Sequence, residues 1–279
     1  MNIIKDLFKN NYKSLLFVYF LFILESVLAL LYPMVLGNTI DYFISKEYNY
    51  TFLLALVLGG FIFTAYFRRI FDTRVFSTMY RKLIVKYINT EIDKQTSTST
   101  ITARTYMLNS IVSFLETDLP YIFYAFFSVI GSITIIMIKY NLVIGLMTLV
   151  SLFPIMLVSN YFRKRLSQRY SESNDLSEKD VDNINSLDKS KIKHHYINKN
   201  FLSIKISNLD AKNNLFNDMI NYTLIVLVLL IFSIIETPTI GSIMGLYQYV
   251  IKFTSGVLMF PNLILRYEYL KDVLKRINT

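Results

Sequence analysis

Two ionisable residues stand alone in long apolar stretches. Glu25 is the one charge between residues 14 and 40, and Lys252 is the one charge between residues 237 and 265. Ionisable groups in such surroundings are costly, and they pair, line a polar path or snorkel to an interface. Helix rise puts Glu25 about 16 Å and Lys252 about 12 Å from the same edge of a 30 Å apolar layer. The two are therefore expected to form an ion pair or to line one cavity, with Tyr249 beside Lys252. The plainer alternatives are a pair that serves packing alone, or a snorkelling Lys252. Tyr247 and Phe253, at the same spacing, read as packing or lipid-facing aromatics.

Other chemistries find little support. The chain has no cysteine, so disulfides and thiolate metal sites are excluded. His194 and His195 are adjacent and would point about 100° apart on a helix. They read as solvated loop residues rather than metal ligands. None of the eight glycines is followed by lysine, so a phosphate-binding loop ending Gly-Lys-Ser/Thr cannot be built. No catalytic residue, metal site or cofactor bound by the chain itself is expected, and the chain is read as not an enzyme. Arg68, Arg69 and Arg74 read as headgroup anchors, with contacts to an anionic substrate as the alternative.

The elements that carry these residues follow from the gaps between charges. Of the 279 residues 53% are hydrophobic and 18% charged, against about a quarter charged in a soluble domain. Residues 48–67, 119–138, 140–162 and 219–235 hold no charge, which with the two stretches above makes six apolar segments. Each meets the roughly 17–25 residues that a membrane helix needs. We expect an all-α membrane protein with spans at about 15–40, 50–70, 119–139, 141–162, 218–236 and 239–262 in a single domain, 1–279. The N-terminal Lys5, Lys9 and Lys13 precede an apolar run too long for a signal peptide, so it is read as a retained first helix.

Charge also sets orientation. Of the 29 Lys and Arg, three fall in the N-terminal tail, eight in 68–118, eleven in 163–218 and four in the C-terminal tail. Lys46 and Lys139 alone lie in the intervening loops. By the positive-inside rule both termini are cytoplasmic. The net charge of +9 thus points to a membrane surface and not to nucleic acid. The outer turns are short. The inner segments, about 70–118 and 163–217, read as two long cytoplasmic helical hairpins. Ile70, Val75, Met79, Leu83, Ile84, Tyr87 and Ile88 recur at helical spacing, so the second span is expected to run on to Lys94. A break at Gln95–Thr102 follows, and helix resumes at Ala103. The second hairpin turns between Asp188 and Ser207. Pro33 and Pro154 are expected to kink their spans.

Several strings resemble the membrane domain of an ATP-binding cassette (ABC) exporter: YPMVLGNTIDYF (32–43, with Pro33, Gly37 and Asp41), ITARTYMLNSIVSFLETDLP (101–120, with Arg104), IKISNLDAKNNLF (204–216) and TIGSIMGLYQYVIKF (239–253) followed by LKDVLKRI (270–277). The resemblance covers essentially the whole chain. Where the family usually has a glycine shortly before the position of Arg104 and an aspartate about four residues after it, this chain has Ser99 or Thr100 and Leu108. The family's ATPase domain is not found before Thr279. The resemblance implies an ABC exporter-like membrane domain, acting as a homo- or heterodimer in membrane lipid with an ABC ATPase subunit in trans, and ATP hydrolysed by that partner. It implies a bacterial inner (plasma) membrane protein. It places ATPase coupling at Ser99, Thr100, Ile101, Thr102, Arg104, Phe201 and Ile204, and a translocation cavity at Glu25, Lys252 and Tyr249. The alternatives are a non-transporting regulatory or scaffold protein on the same fold, and an ion- or proton-driven carrier using Glu25.

The orientation has a direct test, since the chain lacks native cysteine. Single cysteines at Lys46, Tyr140 and Thr237 should react with an impermeant maleimide in intact cells. Cysteines at Ser99 and His194 should react only after lysis, and their labelling from outside would reverse the orientation.

Overall fold

A computed structural model describes residues 3–95 and 98–278. All regular structure among them is helical: α1 (Ile3–Ile44), α2 (Asn49–Asp93), α3 (Thr98–Ser113), α4 (Leu119–Phe126), α5 (Ser132–Ile135), α6 (Leu142–Val150), α7 (Leu152–Glu178), α8 (Asp180–Asn185), α9 (Lys189–Ile235) and α10 (Ile240–Asn278). Two π-helical turns, Phe114–Asp118 and Phe127–Gly131, join α3, α4 and α5 into one rod, which a third, Ile136–Tyr140, extends. Among the described residues six helices are long and apolar enough to cross a membrane, beginning at Asn11, Asn49, Leu108, Leu142, Lys189 and Ile240. Helices suit a bilayer because they satisfy their own backbone groups.

The helix α2 has 45 residues, a length of about 67 Å. About 30 Å of that spans the apolar layer, so the rest projects beyond it. Its far half is held by a core rather than by lipid. Phe76, Met79, Leu83 and Tyr87 are buried with Leu15 and Val18 of α1, Leu108, Ile111 and Val112 of α3, and Leu270 of α10. Leu108 therefore fills an apolar site where the resembled family carries an aspartate, and it is fully buried.

Three turns carry non-glycine residues in the left-handed region: Lys46 (φ 62°), Gln95 (φ 57°) and Leu187 (φ 54°). The first is the turn between α1 and α2. The other two end the long hairpins. The first hairpin turns at Lys94–Gln95, as the sequence break suggests, and helix resumes at Thr98 rather than Ala103. The second turns at Ser186–Asp188, ahead of the expected range, which it meets only at Asp188. Pro33 does not distort α1, whose non-helical residue is Asn11 (φ −130°). Near Pro154 the chain does break, at the turn residue Ser151 between α6 and α7. Proline lacks the N–H that would bind the carbonyl four residues back.

Contacts fall into two compact units. One comprises Met1–Gly145 with Leu229–Thr279, and the other Leu146–Val228. Within the first, α10 is the most buried span: 44% of its apolar window is inside the protein, although its mean hydropathy, 1.2, is the lowest of the six. It packs through glycine. A Cβ on Gly241 would lie 1.9 Å from the Gly37 carbonyl oxygen, one on Gly245 would lie 2.2 Å from the Tyr140 hydroxyl, and one on Gly256 would lie 2.9 Å from Ser128 and Val129. Small residues allow such approach between membrane helices. Gly59, in contrast, faces open space.

These glycines define a stability test. Gly241→Ala should lower stability by about 1–3 kcal/mol, the usual cost of overpacking. Gly59→Ala should be neutral or slightly stabilising, because alanine favours helix. Thermal unfolding in detergent reads the difference, and equal effects at both positions would refute the close contact.

Candidate functional site

The chain leading into α10 is anchored to α1 by one carboxylate. Asp41 accepts hydrogen bonds from the Gly241 N–H (2.8 Å) and the Thr239 hydroxyl (2.6 Å). Thr239 in turn accepts the Ser242 N–H at 3.1 Å, an N-cap for α10. A carboxylate at a helix N-terminus also meets the positive end of the dipole. Two turns further along, the Tyr249 hydroxyl donates to the Leu30 carbonyl at 2.7 Å. Tyr249 is fully buried. It packs between α1 and α10, at a position expected to border a cavity. Phe253 is likewise buried.

Lys252 follows three residues on. It borders a cavity of about 190 Å³ with Leu28, Ala29 and Tyr32 of α1 and Val57, Leu58 and Phe61 of α2. No carboxylate lines this cavity, and among the described residues Lys252 makes no hydrogen bond or ion pair.

Glu25 is not its partner. The expected Glu25–Lys252 pair is replaced by a Glu25–Arg68 pair: the Arg68 Nε donates to Glu25 Oε2 at 2.5 Å, and its Nη1 donates to Asp72 Oδ2 at 3.0 Å. The guanidinium also lies 4.9 Å from the centre of the Phe22 ring. All three charged side chains are at most 17% exposed. Arg68 therefore has neighbours on α1 and α2, where headgroup anchoring was expected. The depths of Glu25 and Lys252 were comparable, but depth ignores the side of the helix. A sequence signal for the true pair exists. Arg68 stands as many residues past the Lys46–Glu47 turn as Glu25 stands before it, so an antiparallel α1–α2 hairpin brings them level.

In the second hairpin, α8 is clamped to α9. Asp180 accepts from Lys199 Nζ at 2.5 Å and pairs with His195 Nε2 at 2.6 Å, while the Asn183 amide meets His195 Nδ1 at 3.2 Å. An amide N–H donor at Nδ1 implies that Nε2 carries the imidazole proton. Hydrogen bonds from Lys199, and secondarily from His195, hold the Asp180 carboxyl below the usual carboxylate range. Its contribution to hairpin stability is thus present above that range and fades as pH falls through the lowered value. His195 is 7% exposed and lies on a helix, so the reading of a solvated loop histidine is corrected. His194 is exposed.

The coupling residues separate into two groups. Ser99, Thr100, Ile101, Thr102 and Arg104 all fall in the first turns of α3, next to the first tip. The side chains of Ser99, Thr100, Thr102 and Arg104 lie outside the described residues, and Ile101 is half-buried. Phe201 and Ile204 are exposed, but they sit about 18 and 22 Å along α9 from its start, away from the second tip. The residues at that tip are Ile184 and Leu187, 48% and 84% exposed. Reading the turn too late displaced the candidates by about three to four helical turns.

Arg68 serves two carboxylates, which gives an asymmetric prediction. Arg68→Gln should cost about 2–3 kcal/mol, somewhat less than the roughly 3–5 of breaking a fully buried pair. Glu25→Gln should cost less, because Arg68 keeps Asp72, and adding Glu25→Gln to Arg68→Gln should restore part of the loss. Thermal unfolding of the three variants is the measurement, and equal, additive losses would contradict the shared arginine.

Comparison with protein families gives one finding that covers most of the chain: the ABC transporter transmembrane region matches residues 4–241. Comparison with curated proteins gives no match. A match over this span, on a protein with six membrane-crossing helices and two long helical hairpins, shows that the chain belongs to the ABC transporter transmembrane region family.

Proposed function

We propose that the chain forms, as a homo- or heterodimer, the substrate pathway of an exporter-like ABC transporter. Its energy comes from an ABC ATPase partner that docks on the two hairpin tips. In this reading both termini and both tips face the cytoplasm, which the lysine and arginine distribution supports, and the membrane is a bacterial inner membrane, as the family resemblance implies. Nothing in the 279 residues can form a Gly-Lys-Ser/Thr phosphate loop, so the ATPase chemistry lies outside them.

The construction of the second tip carries this reading. A six-residue helix, α8, is braced on α9 by Asp180, Asn183, His195 and Lys199, and it leads to the exposed apolar pair Ile184 and Leu187. Polar groups are spent inside the hairpin to fix an element whose apolar side chains face outward. That arrangement suits a surface that another protein covers. The first tip, with Ile101 beside the Gln95 turn, offers the matching position on the other hairpin. Movement imposed at the tips reaches the membrane through long uninterrupted helices, α2 and α9, of 45 and 47 residues.

In this reading Lys252 belongs to the pathway, as the free cation on a cavity between α1, α2 and α10. Glu25 acts through Arg68, by holding α1 to α2. A ligand or nucleotide shifts such a transporter between states only by its differential affinity for them. The tips are where that difference is applied.

Purified chain alone should show no ATPase activity and should recruit an ABC ATPase in pull-downs from its native membrane. Ile101→Glu and Leu187→Asp should each reduce recruitment at least about fivefold, roughly 1 kcal/mol, without changing thermal unfolding. Aspartate tolerates the left-handed backbone of Leu187 (φ 54°). Recovery of non-ATPase partners only, equally by wild type and variants, would favour the scaffold alternative.

A further inference from the structure

A second site lies within the unit formed by Leu146–Val228. Two helix faces meet there across an open groove of about 500 Å³. From α7 come Leu157, Val158, Tyr161, Phe162 and Arg165, and from α9 come Leu209, Lys212 and Phe216. Each set follows helical spacing, so each is a single face.

The groove has a polarity. Phe162 and Phe216 meet across it, ring centres 6.0 Å apart, which sets the two helices level at that point. Arg165 is three residues from Phe162 and Lys212 four from Phe216, both in the direction away from the apolar spans. At 1.5 Å per residue the two cations stand about 4.5 and 6 Å above the aromatic pair, at nearly the same height. Leu157 lies five residues on the other side, about 7 Å toward the membrane centre. One rim is therefore cationic and the wall below it is apolar.

The height is that of the headgroups. Arg163 is the first charge after the charge-free stretch 140–162, and Asp218 is the last before the charge-free stretch 219–235. Both cations lie within a turn or two of those limits. The Arg165 guanidinium rests 4.2 Å from the centre of the Tyr161 ring, but among the described residues neither Arg165 nor Lys212 has a carboxylate partner. A cavity of this volume falls in the range of ligand sites, about 300–1,000 Å³. Basic pockets between membrane helices suit anionic headgroups.

We propose that this groove binds one anionic phospholipid, its phosphate between Arg165 and Lys212 and an acyl chain along Phe162, Phe216, Val158 and Leu157. The site does not depend on the transport reading. It requires only that these helices cross the bilayer.

The full chain, purified in detergent, would be titrated with dioleoyl-phosphatidylglycerol or dioleoyl-phosphatidylcholine, and bound lipid counted by native mass spectrometry. Phosphatidylglycerol should be retained at least about tenfold better than phosphatidylcholine. Arg165→Gln with Lys212→Gln should remove that preference, and Lys212→Gln alone should reduce it about threefold. Lys189→Gln with Lys191→Gln, two exposed cations elsewhere on the same unit, should leave it unchanged. Leu157→Trp should weaken retention by filling the apolar end while both cations remain. Equal retention of the two lipids, or an unchanged preference in the Arg165/Lys212 variant, would overturn the proposal. Displacement by glycerol 3-phosphate at matching concentration would also overturn it, by showing a free-phosphate site that needs no acyl chain.

Discussion

The contact that the first unit depends on is the approach of the start of α10 to the last turns of α1. The Gly37 carbonyl lies so close to Gly241 that neither position admits a side chain. In lipid there is no hydrophobic force to press two helices together, so close packing and hydrogen bonds must do it. Here glycine supplies the packing. Asp41 supplies the hydrogen bonds, to Gly241 and Thr239, and Tyr249 adds a third tie to the Leu30 carbonyl. These contacts fix the register of α10 along α1. Register in turn decides that Lys252 faces Leu28, Ala29 and Tyr32 rather than Glu25. The low hydropathy and high burial of α10 have the same origin, because a helix sheathed by protein has no need of a lipid-compatible surface.

Charge in and near the bilayer has been handled in three ways. Glu25, Arg68 and Asp72 form a closed group in which the guanidinium uses its fork to satisfy two carboxylates. Asp180, His195 and Lys199 do the same for the second hairpin, outside the membrane, and there the product is a fixed short helix. Among the described residues Lys252, Arg165 and Lys212 have no carboxylate partner, and each stands on a cavity or groove with apolar walls. A cation kept without a partner beside an apolar cavity is suited to an amphipathic anion. The ion pairs hold the protein together, while the other cations are the ones proposed to meet substrate or lipid.

Much of this was legible before the structure. Charge-free intervals mark the six spans, and the spacing of Met79, Leu83 and Tyr87 correctly extends α2 far past the membrane. The break at Gln95 fell at the first tip. What escaped depended on rotation about helix axes and on side-chain networks. Glu25 and Lys252 were matched by depth alone, while their azimuth was set by glycines distant from both. His194 and His195 looked alike in sequence. The structure buries His195 against Asp180 and Asn183 and leaves His194 in water, since neighbours on a helix face different ways. The second tip was expected between Asp188 and Ser207, but helix α9 already runs from Lys189, and the residue that turns, Leu187, is apolar and carries no turn signal in the sequence. Pro33 predicted a kink that α1 does not show; the departure from helix is at Asn11.

The central claim is that ATP bound by a partner changes the surroundings of Lys252 through the hairpins. It is tested by the reactivity of Lys252→Cys in membranes that contain the recruited ATPase, with a small impermeant maleimide applied from the outer side. Labelling should rise at least severalfold when a non-hydrolysable ATP analogue is added, and should fall back after Leu187→Asp. Reactivity that is the same with and without nucleotide, in membranes where the ATPase is demonstrably bound, would contradict the account.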